Sequence, residues 1–176
     1  MLKKLILTVV ILAVVLVVTG FLLRTEFKVA RKVIIQADVA KVHELVGELR
    51  NWPKWTPWQE DDPTIVTTLG ATTTGVGASQ TWTGKGGNGE LTFTKCDPAT
   101  GITFDMNIIN GDTRVPSKCW VSYAPASSGV EVEWGIEGDF APMLVIGGYL
   151  GTFADSLMGP KFDKGLNTLK LQCEAP

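Results

Sequence analysis

The stretch Asn51–Trp58, Asn-Trp-Pro-Lys-Trp-Thr-Pro-Trp, constrains this chain more than any other. Three tryptophans recur at every third residue, with Pro53 and Pro57 set between them. Each proline removes a backbone donor and turns the residue before it toward extended geometry, so this aromatic period is not the stripe of a regular helix. It reads as a stiff, irregular loop whose indoles must be buried against the body of a domain.

Around that loop the pattern is that of one α+β domain. Phe27, Val29, Val33 and Ile35 alternate with Lys28, Lys32 and Gln36, which predicts a first strand over Phe27–Gln36. Asp38 offers an N-cap, and Val39, Val42, Leu45, Val46 and Leu49 recur at helical spacing after it. His43, the only histidine, sits at the edge of that stripe with no Ser or Cys beside it in sequence, and reads as structural. Glu60-Asp61-Asp62 precedes Pro63 in a polar connector, where solvated or capping carboxylates are the reading rather than an acid–base pair.

From Thr64 to Phe140 six more strands are expected: Thr64–Leu69, Val76–Gly84, Gly89–Cys96, Gly101–Ile109, Thr113–Tyr123 and Gly129–Asp139. Their connectors carry turn chemistry, above all Asn110-Gly111, the strongest short hairpin signal. Links this short make an antiparallel meander. Gly84–Gly89 matches G-x-G-x-x-G literally, but a strand rather than a helix follows it, so it reads as a hairpin turn and not a dinucleotide site.

One strand parity is apolar: Val76, Ala78 and Trp82; Leu91 and Phe93; Ile102, Phe104, Met106 and Ile108; Val130, Val132, Trp134 and Ile136. The other is polar, so one sheet face is dry and one wet. The strand carrying Cys119 and Trp120 leaves its parity open. Pro142–Gln172 is helical in character, with Gly159-Pro160 expected to kink or interrupt it, and Gly147, Gly148 and Gly151 marking close packing or mobility.

Leu5–Leu23 runs nineteen residues without a charge, about 28 Å as a helix and enough to cross a bilayer core. A cleavable signal peptide is the rival reading, but the run is longer than a signal's apolar region, and Val17–Phe21 makes a poor cleavage site. An uncleaved single-pass anchor is expected. Lys3 and Lys4 before the span are balanced by Arg24, Lys28, Arg31 and Lys32 after it, so charge gives no orientation. The four-residue tail before a signal-like span favours placing the large domain on the extracytoplasmic side of the cell membrane. A net charge of −2 argues against a nucleic-acid partner. Three cysteines, Cys96, Cys119 and Cys173, and one histidine make no metal set; no cofactor is expected, and a Cys96–Cys119 bridge stays open for an exported domain.

The order strand–helix–loop–six strands–long helix, with Arg31–Ile35, Glu48–Trp58, Gly75-Val76-Gly77-Ala78, Trp82, Met158-Gly159-Pro160 and Lys164–Lys170, resembles the SRPBCC superfamily, and within it the polyketide cyclase/dehydrase-type proteins with START-like helix-grip domains. The resemblance implies a seven-stranded antiparallel curved sheet wrapped around a long C-terminal helix, with a deep hydrophobic cavity between them. The expected division is an anchor over residues 1–25 and a helix-grip domain over 26–176. Trp55, Trp58, Trp82, Phe93, Phe104, Met106, Trp134, Tyr149, Phe153 and Leu157 are the expected cavity lining. No catalytic motif is found. The expected role is a membrane-anchored binding or carrier module for an apolar small molecule or lipid; the alternatives are a cavity-based cyclase or hydrolase, and a protein-interaction or stress-response module.

Overall fold

A computed structural model of the protein describes residues 1–175. An N-terminal helix, α1 (Leu2–Leu22), leads into β1 (Glu26–Ile35), α2 (Val39–Val46), a 3-10 turn over Leu49–Lys54 and the single turn α3 (Trp58–Asp61). Six strands follow: β2 (Val66–Leu69), β3 (Ser79–Thr83), β4 (Asn88–Asp97), β5 (Gly101–Asn110), β6 (Thr113–Pro125) and β7 (Val130–Asp139). A 3-10 turn at Ala141–Met143 precedes the long α4 (Val145–Glu174).

The seven strands form one antiparallel sheet in the order β1-β7-β6-β5-β4-β3-β2. From β3 to β7 sequential strands pair through short turns, as the turn residues require; β2 reaches β3 through the longer segment 70–78, and β1 forms the other edge beside β7. Gly129, at φ 83°, makes one such turn possible; a side chain there would stand 2.0 Å from the Ile35 carbonyl. The dry face holds Val29, Ile35, Leu91, Phe93, Ile102, Phe104, Val121, Val132, Trp134 and Ile136, and α4 lies over it against β1 and β7 with Phe162, Leu166 and Leu169 buried. This is the α+β helix-grip architecture.

Two local expectations change, and two points the sequence left open are decided. Regular β3 begins only at Ser79, and Val76 is exposed: Gly75 and Gly77 both take positive φ, so the segment bends and meets β4 only through the Gly77 and Ala78 bonds to Phe93. Trp120 resolves to the wet face: its ring lies over Gly135, its register partner, and its Nε1 donates to Glu133 at 2.7 Å. Its neighbour Cys119 is therefore buried, on β6, while Cys96 is on β4 with β5 between them; all three cysteines are free thiols. Pro160 does not interrupt α4. The helix around it is held by Arg31 of β1, whose guanidinium bonds both Asp155 oxygens at 2.8 and 2.9 Å and Asp163 at 3.2 Å, flat against Gly159. That fork, with the packing of Phe162, offsets one missing backbone bond.

Candidate functional site

The tryptophan loop enters the grip. Two side-chain donors fix it: Trp52 Nε1 donates to the Val46 carbonyl at 2.9 Å and Trp55 Nε1 to that of Leu45 at 3.2 Å. The indoles are thereby tied to the open end of α2, whose last carbonyls lack helical partners. Trp52 then packs on Phe93 and Phe104, with ring centres 5.8 and 5.4 Å apart, and Trp55 and Trp58 pack edge-on against Trp134 at 5.0 and 5.7 Å. Trp134 stacks on Phe162 of α4 at 4.4 Å, and Gly165 lies under its ring. The interior between the sheet and the second half of α4 is thus occupied by aromatic side chains.

The ten residues expected to line a cavity separate into three groups. Trp55, Phe93, Phe104 and Trp134 converge in this buried cluster, and Trp58, Trp82 and Met106 pack half-buried against it. Tyr149 is half-buried elsewhere, against α1, where its hydroxyl donates to the Leu16 carbonyl at 2.7 Å. Phe153 and Leu157 are on the outer surface of α4, 55% and 52% exposed. The glycines of the first half of α4 explain this split. Gly147, Gly148 and Ala154 are the buried positions there, so the large side chains project the other way.

An accessible concavity lies at the junction of α1 with the domain, an open groove of about 820 Å³. Leu22, Leu23 and Phe27 give it an apolar wall; Arg24, Lys28 and Glu137 give it a charged rim. Lys28 pairs with Glu137 at 3.0 Å and Arg24 with Glu26 at 3.5 Å. Behind the wall, Ser117 Oγ is buried without a hydrogen-bond partner, 2.8 Å from where a side chain on Gly138 would stand. A buried hydroxyl left unpaired costs about 1–3 kcal/mol, so Ser117→Ala is expected to raise stability by about 1 kcal/mol in lipid-free protein, read by thermal denaturation.

A second cluster was invisible in the sequence. His43 Nδ1 lies 3.3 Å from the Tyr123 hydroxyl and its Nε2 3.7 Å from Cys96 Sγ. The partners are 80 and 53 residues away in sequence, and the only available signal was that Cys96 and Tyr123 fall on strands. Burial drives the Tyr123 hydroxyl strongly toward its neutral form, and lowers the His43 pKa below its ordinary 6.5 against the opposing pull of Asp97. A histidine whose folded pKa is depressed binds fewer protons than the unfolded chain just below pH 6.5. Its contribution to stability is therefore full above about pH 6.5 and is lost as pH falls from there toward the folded value. Proton NMR of this single histidine is expected to show a midpoint below 6.5 that returns toward 6.5 on unfolding.

His43, Tyr149 and Asp155 do not meet: they engage Tyr123 and Cys96, Leu16, and Arg31 respectively. The acidic run is divided likewise, with Asp61 bonded to Lys161 and Lys164 of α4, and Asp62 capping Thr64 and Gly86. Among the described residues no group of three or more His, Cys, Asp or Glu side chains is placed to hold a metal.

Solved structures share this architecture at low identity. Protein CV1439 from Chromobacterium violaceum superposes with a TM-score of 0.62 at 13% identity, over 85% of this chain and 99% of that one. A hypothetical protein, jhp0584, from Helicobacter pylori gives 0.63 at 12% identity over 84% and 88%. The di-domain ARO/CYC StfQ from the steffimycin biosynthetic pathway gives 0.61 at 10% identity over 85% of this chain and 51% of that one. No curated protein sequence matches the chain. A family described as polyketide cyclase/dehydrase and lipid transport matches residues 26–174, every element from β1 to the end of α4, and the chain belongs to that family.

Proposed function

We propose that the protein is a membrane-anchored binding or carrier module for an apolar small molecule or lipid, with residues 1–25 as a single-pass anchor and 26–176 as the binding domain on the extracytoplasmic side. The observation that carries this reading is the groove at the anchor junction: its apolar wall is made partly by the last residues of α1 itself, Leu22 and Leu23. A groove there suits an amphiphile arriving from a bilayer, chain toward the leucines and headgroup toward Arg24 and Lys28. The family's association with lipid transport supports the same class of ligand. Trp55, Trp58, Trp82, Phe93, Phe104, Met106 and Trp134 then serve as the ligand's inner wall only if the aromatic cluster opens to admit it.

Full-length protein purified in detergent is expected to carry lipid in near-stoichiometric amount, read by native mass spectrometry and by extraction. Lipid content no higher than that of an unrelated single-span protein sinks the reading. The enzyme alternative has one observation in its favour, the thiol of Cys96 beside the His43 imidazole, an arrangement suited to a nucleophile and its base. If it operates, His43→Ala slows alkylation of Cys96 by iodoacetamide at pH 7; an unchanged rate leaves the pair a packing contact.

A further inference from the structure

Outside α1, four of the exposed large apolar side chains fall within fourteen residues: Leu144, Ile146, Phe153 and Leu157, each more than half exposed. The others, such as Ile34, Val66 and Leu171, are scattered over the domain. The chain carries no charge from Phe140 to Ala154. A soluble surface does not ordinarily concentrate apolar area in this way.

The same half-helix is packed against the last third of α1. Gly20, the one buried residue of α1, lies under Val145 and Tyr149. A side chain on Gly148 would stand 2.1 Å from the Gly20 carbonyl, and one on Gly151 2.4 Å from that of Arg24. Gly148 and Gly151 on α4, against Gly20 of α1 and the Arg24 carbonyl just after it, make the close, small-residue approach that joins helices in lipid. Tyr149 bonds the carbonyl of Leu16.

Depth follows from length. The 21 residues of α1 make about 31 Å, matching a hydrocarbon core of about 30 Å. Leu16 is six residues from Leu22, about 9 Å inside the end of the helix. Lifting Tyr149 clear of the hydrocarbon would slide α1 outward by that distance and draw Lys3 and Lys4 toward the bilayer interior, where a lysine costs about 2.5–3.5 kcal/mol at mid-depth.

We infer that the first half of α4, Leu144–Leu157, is itself sunk into the bilayer surface beside α1, with Leu144, Ile146, Phe153 and Leu157 facing lipid. The occupant of this face is the membrane, because the face continues the apolar surface of the anchor, and the one charged residue in the segment, Asp155, is already paired with Arg31. Tyr149 lies below headgroup level, where the Leu16 carbonyl rather than water satisfies its hydroxyl. The inference rests on the anchor reading: it makes the domain a body docked on the bilayer at a fixed tilt, with the junction groove opening at headgroup level.

The test uses the full chain in phosphatidylcholine vesicles on a Cys96→Ser background, in which the remaining thiols, Cys119 and Cys173, are buried, with a nitrobenzoxadiazole fluorophore on one introduced cysteine at a time, at Val10, Ile146, Phe153 or Asn167. Quenching by lipids spin-labelled on their acyl chains is expected to be at least twofold at Val10, Ile146 and Phe153, and negligible at Asn167. Ile146 and Phe153 open to aqueous iodide while Val10 is quenched overturns the inference and leaves the anchor standing. No quenching at Val10 overturns the anchor reading and the inference with it. Quenching at Asn167 equal to that at Phe153 overturns the restriction to the first half of the helix.

Discussion

Trp134→Ala is expected to lower the stability of the domain by about 3–5 kcal/mol, the usual cost of deleting a large buried aromatic. Trp134 is 3% exposed and touches three rings from two separate parts of the chain: Phe162 of α4 at 4.4 Å, and Trp55 at 5.0 Å and Trp58 at 5.7 Å from the loop. Its removal opens a void that the loop is poorly able to fill. Trp55 is held by its bond to the Leu45 carbonyl, and Pro53 and Pro57 stiffen the chain on both sides of it. For a domain of this size the loss corresponds to a fall in Tm of about 10–15 °C, measured by circular dichroism and checked by denaturant titration at unchanged m-value. Trp120→Ala is the control. That ring is paired through Nε1 with Glu133, but it lies on the wet face over Gly135, and its loss should cost about 1 kcal/mol. Equal losses for the two would mean that the ring cluster is not the centre of the fold.

Much of this was legible in the chain because the relevant physics is local. Alternation with turn residues places β4 to β7 within two residues of their observed bounds, since period two on a half-wet sheet admits one solution. The prolines of the tryptophan loop carried the inference that its rings must be buried, and the rings are packed as that argument requires. What escaped was set by partners distant in sequence. Trp120 against Cys119 is a choice between two faces that a single strand does not contain; the glycine opposite, Gly135, decides it. The His43–Cys96 approach exists only once α2 lies over β4. Phe153 and Leu157 were drawn inward by the rule that apolar helix residues face the core. That rule fails where the core-side positions are glycines and a second apolar helix lies alongside.

Gly148→Leu is therefore expected to have its effect on the anchor rather than on the domain. The added side chain meets backbone, the Gly20 carbonyl at 2.1 Å, and Leu23 Cβ at 2.9 Å, so neither helix can accommodate it by a rotamer change. The two helices must separate, which breaks the bond from Tyr149 to Leu16 and widens the junction groove. Nitroxides at Val17 and Ile146, both exposed and on neighbouring helices, are expected to show dipolar broadening in the native chain and to lose it in the variant. Near-ultraviolet circular dichroism is expected to stay unchanged, because the aromatic cluster is held by Phe162 and Gly165 on the other half of α4. Retained broadening would show that the glycines are not what seats α4 on α1. Leucine in place of glycine favours an isolated helix by about 0.8–1 kcal/mol, so a loss of contact has no explanation in a weakened α4. The glycines of this half-helix make α4 intrinsically poorer as a helix, and the separation assay asks directly whether the close approach to α1 is what they provide in return.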